Sequence, residues 1–253
     1  MNKIKLESKS YNLYANLGYW FLSLVILVLV GFYPTYFSIF FTPMPSITHI
    51  HFALMTVWIT MLIIQPFLIK YKKLAAHRMI GKVSYVLVPF VMIFTYLMMR
   101  HGYLNYVNRV SRLLVEGHLQ YSGNEIRRQA AKAYGLPFFY LLWLGLFYLL
   151  AIINKKRSSV HARYMMAAAL TILGPTIDRI VSVGFKIETL FYIPAFVLID
   201  TILLSLSLKD RAQQVNTNAL WICLSIYTVC QVIYLVVQDA SWWGYFMASI
   251  MNS

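Results

Sequence analysis

Three histidines stand where an imidazole can reach a ligand within a very apolar chain: His51, His77 and His161. Imidazole is the commonest metal ligand and titrates near neutral pH, so it serves haem, zinc and proton transfer alike. His77 heads the string His77-Arg78-Met79-Ile80-Gly81, and His161 heads His161-Ala162-Arg163-Tyr164-Met165. Each opens an apolar run, on the same side of the membrane by the topology given below. Two imidazoles facing each other at equal depth on a helix bundle clamp a b-type haem, whose iron takes one axial nitrogen from each side. Gly81, one turn beyond His77, would let a flat ligand approach the backbone. Arg78 and Arg163 would neutralise propionates. The plainer account of these residues is contact with lipid head groups.

His51 begins another apolar run, and Trp58 and Gln65 follow at i+7 and i+14. That spacing puts all three on one helix face, ahead of Pro66. An interfacial histidine with an aromatic packing stripe explains the pattern equally well. A second haem at His51 would lack a partner in the fourth apolar run, which has no histidine; His118 is the one candidate. Ionisable groups inside apolar runs are costly and default to a functional role. Asp178 and Arg179 follow the kink signal Gly174-Pro175, and Asp200 stands in the next run. Asp178 and Arg179 are about 100° apart on a helix, poorly placed to pair, so Arg179 should neutralise a carboxylate elsewhere. Asp200 should face the bundle interior, where a hydrogen-bonded helix–helix contact is the plain expectation.

The histidines also allow zinc. However, His51 and His77 lie at opposite ends of their runs, roughly 30 Å apart across a bilayer core, and cannot share one ion. His49 with His51 and an acidic residue remains as an alternative, without an H-x-x-x-H or H-E-x-x-H pair to support it. No nucleophile elbow, P-loop or dinucleotide fingerprint occurs, and no lysine in the last apolar run could form a retinal Schiff base.

The elements that must position these groups follow from composition. Of 253 residues, 60% are hydrophobic and only 12% charged, against about 45–50% and 25% in soluble domains. Mean hydropathy is +0.65. This excludes a disordered chain, a disulfide-stapled secreted module and an ordinary soluble enzyme. The expectation is an all-α, single-domain integral membrane bundle of seven helices. The spans fall at Gly18–Phe41, His49–Ile69, Val83–Met99, Leu136–Ile153, Tyr164–Phe185, Thr189–Leu208 and Ala219–Val237. The net charge of +14 comes from 22 Lys and Arg against 8 Asp and Glu. No nucleic-acid signature accompanies it. The basic residues cluster in the amino-terminal tail and around Lys70–Lys82, Asn154–Arg163 and Lys209–Asn218, which places the amino terminus inside and the carboxy terminus outside. The stretch from about 101 to 134 is read as an outer loop carrying an amphipathic helix on the membrane, with Leu104, Val107, Val110 and Leu114 at helical spacing. Cys223 and Cys230 are about 10 Å apart along one helix, too far for a disulfide.

The pattern His51…Trp58…Gln65-Pro66…His77-Arg78-x-x-Gly81, continued by His161-x-Arg163-x-Met165 and Gly174-Pro175…Arg179, resembles a family of small bacterial multipass membrane proteins whose activity is uncharacterised. A looser similarity is to cytochrome b561-type membrane electron carriers, which hold haem between histidines on helices separated by one intervening helix. That resemblance implies haem b, with His77 and His161 as one ligand pair, and a membrane oxidoreductase with an electron donor or acceptor as partner. It departs from the pattern at the fourth span. The leading expectation is therefore electron handling by a b-type haem near the inner face of a bacterial inner membrane. The alternatives are a metal-dependent hydrolase or lipid-modifying enzyme using His49 and His51, and a non-enzymatic accessory or assembly subunit of a larger membrane complex.

Overall fold

The structure is a computed structural model that describes residues 16–117, 120–215 and 217–252. Among these the fold is all-helical, with eight helices. They are α1 (Leu17–Phe32), α2 (Ser46–Lys70), α3 (Leu74–Val115), α4 (Gly123–Ile153), α5 (Ser158–Gly184), α6 (Ile193–Ala212), α7 (Ala219–Val237) and α8 (Ser241–Asn252). A short 3₁₀ turn, Phe37–Ile39, lies between α1 and α2.

Long apolar helices are what such a sequence must form in lipid, because each satisfies its own backbone hydrogen bonds. Five of them, α2 to α5 and α7, are long and apolar enough to cross a membrane. α1 is apolar but has 16 residues. α6 has 20 residues and includes Asp200, Lys209, Asp210 and Arg211. Large apolar side chains such as Trp20, Ile26, Val86 and Val236 point outward, the inverse of a water-soluble surface.

The stretch 101–134 differs from the loop expected. α3 runs unbroken through it to Val115, and α4 starts at Gly123. Arg100, Arg109 and Arg112 lower the hydropathy without lowering helix propensity, so the helix outlasts the apolar run. The join is a side-chain N-cap: Ser122 Oγ accepts the Glu125 amide at 3.2 Å. The two extensions pack on each other, with the Tyr103 and Tyr134 rings 6.0 Å apart and edge-on.

Successive helices up to α5 pack as neighbours, and α5 occupies the centre, touching α1, α4, α6 and α7. Its Ala167-Ala168-Ala169 segment is fully buried. Small side chains let α7 approach closely enough for the Tyr227 hydroxyl to donate to the Ala167 carbonyl at 2.9 Å. Tyr227 also stacks on Phe147 of α4, ring centres 4.9 Å apart. α5 is not uniform. Its α-helical ladder is interrupted at Thr171 and Ile172, resumes over Leu173–Arg179 and widens to a π turn at Ile180–Gly184.

One end of the bundle is basic. The α2–α3, α4–α5 and α6–α7 connections all lie there, with Lys70, Lys72, Lys73, Lys155, Lys156, Arg157 and Arg211 exposed. Lys155 Nζ donates to Tyr85 OH at 3.2 Å, tying the α4–α5 turn to the start of α3.

Candidate functional site

At the basic end, α2, α3, α4 and α5 bring together five residues that the sequence singled out. Gln65 Nε2 donates to the His77 carbonyl at 3.2 Å, pinning α2 to α3. His77 and His161 lie within electrostatic reach of each other. The His161 Nδ1 is 2.8 Å from the Ala151 carbonyl. A carbonyl only accepts, so Nδ1 carries the hydrogen and the neutral ring keeps its lone pair on Nε2. Gly81 leaves room: a methyl group there would stand 3.8 Å from Gln65 Nε2, an ordinary contact. Trp58 is fully buried and meets Tyr148 edge-on at 6.0 Å.

Tyr148 and Ser84 belong to the same seam and were not anticipated. Their hydroxyls are 2.8 Å apart, and Ser84 Oγ donates to the Gly81 carbonyl at 2.6 Å. A tyrosine inside an apolar run reads as core, so no signal marked it.

Several polar atoms of this seam are buried without a hydrogen-bond partner: His77 Nδ1, Gln65 Oε1 and Trp58 Nε1. Such an atom costs about 1–3 kcal/mol unless something bonds it. A buried polar atom without a partner is a place that a ligand or water can complete.

Arg163 does not take the expected place beside a propionate. It is fully buried and forms a two-point ion pair with Asp210 of α6 through Nε–Oδ2 (2.5 Å) and Nη2–Oδ1 (2.7 Å). Its Nη1 donates to Ser159. Asp210 lies 47 residues away in sequence, so the pairing is long-range and had no local sign. Arg78 is exposed beside His77.

The opposite end holds the other candidates. His51 Nδ1 is 3.3 Å from the Thr95 hydroxyl. His49 turns elsewhere, to the Tyr36 hydroxyl at 3.0 Å, in an open groove lined by Tyr36, Phe40, His49, Phe52 and Ala53. His49 and His51 thus serve different partners. Among the described residues no three His, Cys, Asp or Glu side chains converge as a metal site. His118 lies outside the described residues.

Asp178 and Arg179 do not pair with each other. Asp178 Oδ2 accepts from Tyr140 OH at 2.7 Å. Arg179 lies 4.3 Å over the Phe32 ring and donates to the Pro175 carbonyl at 2.9 Å. Asp200 accepts from Gln231 at 3.2 Å and Thr228 at 3.5 Å, the α6–α7 contact expected of it.

No protein-family model, no curated protein and no solved structure matches this chain.

Proposed function

We propose that this is a seven-span protein of the bacterial inner membrane, amino terminus inside, that binds a b-type haem between His77 and His161 near the cytoplasmic face. The seven-span reading counts α1 and α6 as crossings. α1 supplies about 24 Å of helix at 1.5 Å per residue; in α6, Asp200 is hydrogen-bonded to α7, Asp210 is paired with Arg163, and Lys209 and Arg211 lie at the end. The basic end then faces the cytoplasm.

The observation that carries the haem reading is the state of the two rings. His161 is fixed through Nδ1 to a backbone carbonyl, which leaves Nε2 as the ligating nitrogen. His77, within reach of it, has a buried ring nitrogen with no partner in the protein. Gly81 keeps the flank of α3 low, and Arg78 stands where it can meet an acidic substituent. Haem held there supplies one-electron transfer at its iron. The protein's own residues orient the imidazoles, exclude water through Trp58 and Tyr148, and offer a basic surface to an electron donor or acceptor. Zinc at His49 and His51 is less favoured, because those side chains take separate partners.

An absorption spectrum of detergent-purified protein, before and after dithionite, tests the reading. A Soret band that shifts on reduction, with sharp α and β bands, is expected. His77→Ala and His161→Ala should each remove it. Protein made with ample haem that shows no visible bands overturns the reading. Colourless protein that co-purifies with a larger complex would establish the accessory-subunit alternative in its place.

A further inference from the structure

Asp178 is a buried carboxylate that the haem reading does not use. It is 7% exposed, in the central helix, far from the basic end. Its Oδ2 accepts from Tyr140, and its Oδ1 is buried with no hydrogen-bond partner. The contrast with Asp210 is direct. That buried carboxylate has both oxygens bonded by one guanidinium, as a structural ion pair requires. Asp178 sits next to a guanidinium and makes no ion pair with it.

The surroundings are equally specific. From α4 come Tyr140 and, farther out, Tyr134; from α5, Arg179; from α7, Tyr234. His51 of α2 lies within reach of Arg179 rather than beside Asp178. α1 offers Phe32 and Gly31, which carry no charge. Among the described residues no second carboxylate joins Asp178, so a metal cation would find one ligand oxygen beside a positive guanidinium. A proton is the ligand that a single apolar-shielded carboxylate takes most readily. The backbone points the same way. Asp178 lies between the interruption at Thr171–Ile172 and the π turn at Ile180–Gly184, and Ser182 Oγ donates to its carbonyl at 2.6 Å. π turns recur at functional sites in helices.

We propose that Asp178 is a proton-binding site in the half of the bundle away from the basic end, held by Tyr140 and carrying its proton on the unpartnered oxygen. The step is a single proton exchange with water: carboxylate plus proton gives carboxylic acid, and the reverse releases it. It stands independently of haem binding.

Infrared difference spectroscopy of the full-length protein in lipid, between acid and alkaline pH, tests this. A carbonyl band of a protonated carboxyl should appear at acid pH, vanish at alkaline pH, and be absent from Asp178→Asn. Tyr140→Phe keeps the ring and deletes the hydrogen bond; it should shift the band without removing it, a readout that survives if Asp178→Asn fails to fold. A native spectrum with no titrating carboxyl band overturns the proposal. So does a band that persists unchanged in Asp178→Asn, or one that Tyr140→Phe leaves unmoved.

Discussion

Gly31 of α1 lies against the backbone of Thr176 in α5, so close that a methyl group at position 31 would stand 2.7 Å from the Thr176 carbonyl oxygen. A backbone atom in a packed helix cannot step aside. Gly31→Ala should therefore destabilise by about 1–3 kcal/mol, the usual cost of overpacking. Gly81→Ala is the control. Its methyl meets only an ordinary contact, and alanine is the better helix former by about 1 kcal/mol. Thermal unfolding in one detergent should lower the first midpoint and leave the second equal or higher. Equal midpoints would show that α1 does not seat on α5 as described.

Arg163 and Asp210 make a second prediction. Removing one partner leaves the other charge buried alone, which costs about 3–5 kcal/mol. Asp210→Ala and Arg163→Ala should each reduce folded yield sharply. Replacing both with apolar residues of similar volume, Arg163→Met with Asp210→Leu, should recover much of it. A double variant as unstable as the sum of the two singles would mean that the residues do not act as a pair.

The exposed pair Lys132–Asp239, 2.9 Å apart with side chains 47% and 58% exposed, should behave otherwise. Exposed pairs contribute about 0–1 kcal/mol and are screened by salt. Asp239→Asn is expected to move the unfolding midpoint little, and less still at high ionic strength. A loss comparable to that of Asp210→Ala would contradict its exposure.

Orientation is accessible by labelling. With Cys223 and Cys230 replaced by alanine, a cysteine at Ser122 should react with an impermeant maleimide in right-side-out vesicles. One at Lys156 should react only after the membrane is opened. The reversed pattern would invert the topology.

Hydropathy located most of the helices because lipid imposes one solution on a long apolar run. α2, α4 and α7 cover the expected spans His49–Ile69, Leu136–Ile153 and Ala219–Val237. The failure at 101–134 has the same origin: hydropathy detects burial in lipid, whereas helix formation continues through Arg109 and Arg112 wherever propensity allows. Helical spacing put His51, Trp58 and Gln65 on one face of α2, because i, i+7 geometry is local, but it did not show that Gln65 meets His77. It could not place Arg163, whose neighbour is fixed by how α6 returns to α5. Nor could it separate Tyr148, which touches Trp58 and Ser84, from the chain's many other aromatic residues.

The interruption of α5 at Thr171 and Ile172 has a mechanical consequence. Ile172 N bonds back to Ala169 at 3.2 Å and Thr171 Oγ1 to Ala168 at 2.7 Å, local closures in place of the continuous ladder. A continuous helix acts as a rod and carries a push at one end to the other. Here the ladder thins near the middle, with His161 on one side and Asp178 on the other, so any bending of this helix would fall between those two residues.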